Sequence, residues 1–172
     1  GTVVPIDGPL PDGVLGEVRA HQAIYRSRAD VKAIARVIPP SVRALSTLGR
    51  TALPVDGFSS YFAPAPPLWD DPQLIRDDAR AEGLAEALGQ APAVVMRGNG
   101  AVVVADTMPK AVVLAKYLED ASAVNLAALA TGEPLKVMSR KEAAARAVFT
   151  GDLVERMWAW MTAGDIEASP KP

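Results

Sequence analysis

Two apolar runs, Ala93 to Met96 and a second one ending at Ala105, are separated only by Arg97-Gly98-Asn99-Gly100. Asn and Gly tolerate the positive φ of a tight turn, so this stretch predicts a buried β-hairpin with Asn99 as its turn former. A helix follows directly. Thr107 is placed to cap it, and Pro109 falls in the first turn, where a missing N–H costs nothing. From Lys110 to Leu129 the segment carries Val112, Val113, Leu114, Tyr117, Leu118, Ala121, Val124, Leu126 and Leu129 with few charges. Such a helix is apolar around most of its circumference and is expected to be buried, partly against another subunit.

The rest of the chain arranges itself around this unit. Thr2 to Ile6 is a β-branched run that predicts a strand, ended by Asp7-Gly8-Pro9. Gly16 to Arg28 has apolar residues at helical spacing, which puts Glu17 and His21 on one face. Val31 to Ile38 predicts a strand halted by Pro39-Pro40, after which Ser41 is expected to cap a short helix through Leu48. Gly49 to Asp71 mixes four prolines with Phe58, Tyr61, Phe62 and Trp69. It reads as an irregular loop, either pinned to the surface by apolar anchors or forming the wall of a pocket to which Tyr61 contributes.

Pro72 to Leu88 predicts a helix closed by Gly89, and Ser139 with Glu142 has capping-box spacing for a last helix to about Ala163. Met157, Trp158, Trp160 and Met161 on that helix suit either the core or a subunit interface. Strands separated by helices, with an antiparallel hairpin, predict an α/β (α+β layered) fold: a mainly antiparallel sheet flanked by helices, forming one domain over the 172 residues. Gly1 in place of an initiating Met leaves open an N-terminal portion outside this sequence.

Composition narrows the partners. A formal net charge of −2 gives no basic field for nucleic acid or an acidic membrane surface, and no uncharged stretch approaches the ~20 residues of a membrane span. Cysteine is absent, which excludes disulfides and thiolate chemistry; the cytoplasm is the expected compartment.

Four separate pieces, Gly16 to Val31, Lys32 to Pro40, Val94 to Gly100 and Ala111 to Leu129 with Leu118-Glu119, stand in the order and spacing of one family. The chain resembles the class II aldolase/adducin-domain family. The resemblance implies an antiparallel sheet flanked by helices, commonly assembled as a tetramer with sites near subunit contacts. It also implies a catalytic Glu at the start of a helix, a His-x-His pair ending the next strand and a third His in the hairpin turn. Those three His would hold a divalent Lewis acid. The Glu falls on Glu17, the pair on Arg36 and Ile38, and the third His on Asn99. His21, the sole histidine, falls on a helix position that is no ligand in the family. No metal and no other cofactor are therefore expected.

The family's phosphate-holding Ser-Ser pair is replaced by Leu15-Gly16, and the aromatic middle loop looks closer to the branch that decarboxylates hydroxylated aromatic acids. Two functions follow. The first is a metal-independent carbon–carbon lyase, decarboxylating or cleaving a small hydroxy, keto or hydroxyaromatic carboxylic acid. Glu17 and His21 would be its acid/base groups, Arg36 its carboxylate clamp, and Asn99, Arg97 and Tyr61 further ligand contacts. The second is a catalytically silent domain that keeps the fold for ligand binding or assembly. A homo-oligomer is expected in either case.

Overall fold

The computed structural model describes residues 3–165. Its elements are α1 (Val18–Ser27), β1 (Ala33–Val37), α2 (Pro40–Thr47), a single 3₁₀ turn (Ser59–Phe62) and β2 (Leu68–Trp69). After these come α3 (Asp78–Leu88), β3 (Ala93–Met96), β4 (Gly100–Ala105), α4 (Met108–Leu129), α5 (Arg140–Arg146) and α6 (Leu153–Met161). The four strands form one sheet in the order β1-β4-β3-β2. Its first two pairings are antiparallel and the last, between β2 and β3, is parallel. The expected layered α/β architecture with a mainly antiparallel sheet is the one observed.

Alternation along the strands divides the core in two. Ile34, Val94, Met96, Val102 and Val104 face α1 and α3, where they pack on Ile24, Leu84 and Leu88. Ala93, Val95, Ala101 and Val103 face the other way, onto Val113, Leu114, Tyr117 and Leu118 of α4 and onto Phe62 of the 3₁₀ turn. The hairpin strands are buried on both faces, which is why they read as continuous apolar runs rather than alternating ones. α4 starts as expected: the Thr107 side chain accepts from Lys110 N–H, and Pro109 occupies the first turn.

Several local expectations are corrected. The run from Val3 to Ile6 forms no strand; it lies along α1, whose Gln22 donates from Nε2 to Pro5 O at 2.7 Å, while Thr2 is outside the described residues. Ser41 does not cap α2. The N-cap residue is Pro39, and the open N–H groups of Ser41 and Val42 donate instead to the Glu119 carboxylate of α4 at 3.0–3.1 Å. α3 begins at Asp78, capped by Asp77, and not at Pro72; the intervening residues form a connector. The loop from Gly49 to Asp71 contains β2, a two-residue strand too short to show a period.

The capping box of Ser139 and Glu142 is present, but its helix ends at Arg146. Gly151 and Asp152, both at positive φ, separate α5 from α6, so no continuous helix reaches Ala163. No α6 residue is fully buried and Trp160 is 68% exposed, which removes core packing as the role of that tryptophan. In the hairpin turn the positive φ values belong to Gly98 and Gly100, not to Asn99. The amide side chain at 99 is thereby free of turn duty and available for contacts.

Candidate active site

Glu17 sits at the N-cap of α1 but makes no side-chain cap hydrogen bond, so its carboxylate is not consumed by the helix terminus. His21 lies one turn further along the same face. Arg36 is on β1 opposite Val102, on the sheet face that α1 covers, and Asn99 is in the β3–β4 turn beside the end of β1. These four side chains surround a cavity of about 10 Å³, completed by apolar residues that include Ile75, Met96 and Val102. That is space on the order of one water.

The Arg36 guanidinium is held from two sides. Its Nη1 donates to Val37 O at 2.8 Å and its Nη2 to Asn99 Oδ1 at 2.9 Å. Burial lowers the Arg36 pKa from its usual value and the nearby Glu17 charge acts against that shift; an arginine stays cationic regardless. His21 is pushed below the ordinary histidine value, first by burial and then by the positive field of Arg36. The site thus holds a fixed cation, a carboxyl group and an imidazole kept neutral near neutral pH.

The turn is pinned by its surroundings. Gly98 N–H donates to Ser46 Oγ of α2 at 2.9 Å, and Arg97 N–H to Trp69 O at 3.0 Å. At Gly100, which has φ +85°, a Cβ would lie 2.2 Å from Val37 O and 2.7 Å from Ile38 Cα, so only glycine lets the turn close onto the end of β1.

Of the six residues expected at the site, four are brought together: Glu17, His21, Arg36 and Asn99. Arg97 pairs with Asp70 outside the cavity lining. Tyr61 is not brought to this cavity. It lies on the opposite face of the sheet, against Tyr117 and Phe149, with its hydroxyl donating to Val148 O at 2.5 Å. The 3₁₀ turn that carries it packs on α4, a placement that an aperiodic loop does not signal in sequence. Ile75 was missed for the same reason, whereas Met96 and Val102 were legible as neighbours of Arg36 once the strand register was known.

With this geometry, the class is defined by both fold and sequence. The class II aldolase and adducin N-terminal domain model matches residues 3–126, and the chain belongs to that family. Among curated relatives, the 3,4-dihydroxyphthalate decarboxylase of Rhodococcus jostii (strain RHA1) is 28% identical over 137 residues, which cover 74% of this chain and 56% of that protein. The enzyme of the same name from Arthrobacter keyseri is 26% identical over 147 residues, 78% of this chain and 59% of that one. The chain therefore spans less than two thirds of the length of these relatives. Among solved structures, an aldolase II superfamily protein from Pseudomonas syringae superposes with a TM-score of 0.76 at 23% identity, covering 92% of this chain and 67% of its own. L-fuculose-1-phosphate aldolase from Thermus thermophilus gives 0.67 at 26% identity, covering 77% and 71%.

The residues on the resemblance's metal positions do not fit a divalent cation. Arg36 has no lone pair to give and brings positive charge, the Asn99 amide oxygen already accepts from that guanidinium, and Ile38 is an exposed apolar side chain. Among the described residues no group of three or more His, Cys, Asp or Glu side chains is arranged to hold a metal ion. No described helix is long and apolar enough to cross a membrane.

Proposed function

We propose that this chain is a carbon–carbon lyase that decarboxylates a small hydroxyaromatic, hydroxy or keto acid without a divalent metal. The observation that carries the reading is the Arg36 guanidinium, held by Val37 O and Asn99 Oδ1 beside Glu17 and His21. Two of its N–H groups are committed, and the remainder of the fork is free to grip a carboxylate. The decarboxylase names of the two curated relatives support the same substrate class.

In this reading Arg36 orients the substrate's carboxylate, and the bond from that carboxyl carbon to the substrate breaks. Carbon dioxide departs, and the electron pair passes into the conjugated ring or carbonyl. The carbon left behind takes a proton that the Glu17 carboxylate first accepts from solvent, with the neutral His21 one helical turn away as the relay, so that Glu17 ends the cycle as the carboxylate it began as. The test is carbon dioxide release from a panel of hydroxylated aromatic acids, 3,4-dihydroxyphthalate among them, using chelator-treated protein. Turnover that survives chelation and is lost in Arg36→Ala supports the proposal; turnover that returns only with added metal overturns it.

One observation favours a second reading. A cavity of about 10 Å³ holds no organic acid as it stands, which suits a domain that keeps the fold without chemistry. Thermal stabilisation by hydroxyaromatic acids, abolished in Arg36→Ala, decides for the first reading; no stabilisation by any acid, with an intact assembly, decides for the second. Either version is proposed as a homo-oligomer. The exposed Trp160, Val148 and Phe149 offer apolar surface for it, and sedimentation measures the assembly.

A further inference from the structure

We infer that Ser46 is a positioning residue for the candidate site, acting through the hairpin turn to hold Asn99 against Arg36; its bearing on substrate rests on the lyase reading above. Ser46 is fully buried, on the last turn of α2. Its hydroxyl donates to Arg43 O at 2.7 Å and accepts from Gly98 N–H at 2.9 Å. Gly98 itself is exposed and at φ +70°. The next peptide is held from within the hairpin, Asn99 N–H donating to Met96 O at 3.0 Å, whereas the Gly98 N–H is held from outside it, by Ser46.

The connections form a closed circuit. β1 carries Arg36 and runs through Pro39-Pro40 into α2, α2 presents Ser46, Ser46 holds Gly98, and the next residue, Asn99, accepts from Arg36 Nη2. α2 is a rigid member of that circuit because Glu119 fastens its N-terminus to α4. A buried hydroxyl with both partners satisfied specifies one geometry, and removal of its acceptor oxygen releases the turn peptide. The Ser46 hydroxyl thus holds the Gly98 end of the turn to α2 while the Asn99 N–H bond to Met96 O closes it from within, and Asn99 in turn determines which edge of the guanidinium is left for a ligand. A mere space-filling role for the side chain would not use both of its hydrogen-bonding capacities on these two groups.

The test compares wild type with Ser46→Ala by NMR on the ligand-free protein, which keeps it independent of the lyase reading. Expected are a rise of about tenfold in exchange of the Gly98 amide and displaced or broadened signals for the Arg36 Nε–H and the Asn99 side-chain amide. Amides of the β1–β4 ladder from Ala33 to Ala35 should keep their protection. If Ser46→Ala does not fold, Ser46→Cys, whose sulfur is a weaker acceptor, should move the same three signals in the same direction. The inference is overturned if Gly98 exchange rises while the Arg36 and Asn99 signals stay put, or if every amide loses protection together. Where turnover is measurable, Ser46→Ala should raise KM for the acid more than it lowers kcat. The NMR result standing without any turnover would leave Ser46 in its role and remove only the lyase reading.

Discussion

Arg36 and Asn99, 63 residues apart in sequence, are joined by a 2.9 Å hydrogen bond from Nη2 to Oδ1, on two of the positions where the resemblance expects metal-binding histidines. A guanidinium fixed by an amide stands where the resemblance expects ligands to a cation. Charge-assisted hydrogen bonds are worth about 1.5–3 kcal/mol, so Arg36→Ala should weaken binding of an acid ligand by roughly 10- to 100-fold. Arg36→Lys keeps the charge but not the fork, and should recover little. Asn99→Ala should cost less than Arg36→Ala, because the guanidinium keeps its contact with Val37 O. Calorimetric titration with phthalate measures all three; an Arg36→Lys variant binding as tightly as wild type would remove the planar clamp from the account.

His21 gives a pH signature of stability. Its folded pKa lies below the ordinary 6.5, so the unfolded chain binds the proton more readily than the native one. Stability from this group is complete above about pH 6.5 and falls as pH drops from there to the lowered folded value. The paired carboxylates act elsewhere. Asp77, held low by the Arg80 backbone N–H and then by its side chain, gives up stability only below the ordinary carboxylate pKa of about 4. Denaturant unfolding at closely spaced pH values should show the first decline in wild type and a flatter curve in His21→Gln over pH 5 to 6.5, about the range in which histidine titrates. A decline of equal size in both proteins would assign it to other groups.

The parts legible in the sequence were those fixed by neighbours a few residues away. The hairpin, the Thr107 cap, Pro109 and the Ser139–Glu142 capping box depend on local chemistry and were read correctly. Ser41 was misread because the donors it was expected to satisfy are met by Glu119, 78 residues on. Val3 to Ile6 has strand composition, yet its backbone is engaged by Gln22 and Arg26 side chains of α1 instead of a strand partner. The site was half legible. The helix period puts Glu17 and His21 on one face and the resemblance adds Arg36 and Asn99 to them, whereas Tyr61, in a loop without a period, carries no signal of which side of the sheet it covers.

Gly98 and Gly100 share one turn and a positive φ but should respond differently to alanine. Beside Gly98 there is open space, so Gly98→Ala meets only backbone strain, about 1–2 kcal/mol. At Gly100 the new methyl would collide with the backbone of Val37 and Ile38, which no rotamer change relieves. Gly100→Ala should therefore destabilise substantially more than Gly98→Ala and displace Arg36 from Asn99. Urea unfolding ranks the two, and equal losses would mean that β1 yields at no cost.

Glu119 tests whether the site depends on a remote cap. Its carboxylate takes the free N–H groups of Ser41 and Val42 at the start of α2, the role that a local Ser, Thr or Asp fills in most helices. Glu119→Ala should cost about 1–2 kcal/mol, and Glu119→Gln less, since an amide oxygen still accepts but without the charge that favours a helix N-terminus. Thermal unfolding checks the order; Glu119→Gln falling as far as Glu119→Ala would show that the charge alone accounts for the cap.

The proposed metal-free reading has a test by design, in which the histidines of the resemblance are put back. Arg36 and Asn99 already touch, and Ile38 lies two residues beyond Arg36, 58% exposed and free to change. A triple variant with Arg36→His, Ile38→His and Asn99→His removes the positive charge and supplies three neutral nitrogen donors, the number a catalytic zinc site takes from its protein. Wild type dialysed after exposure to zinc should retain a negligible fraction of metal per chain, and the triple variant close to one equivalent, with a zinc-dependent rise in Tm. The double variant lacking Ile38→His should bind more weakly, since two histidines leave the ion short of a ligand. A folded triple variant that retains no zinc would show that the β1 end and the hairpin turn no longer stand in metal-binding register, and that more than three side chains separate this chain from a metal centre.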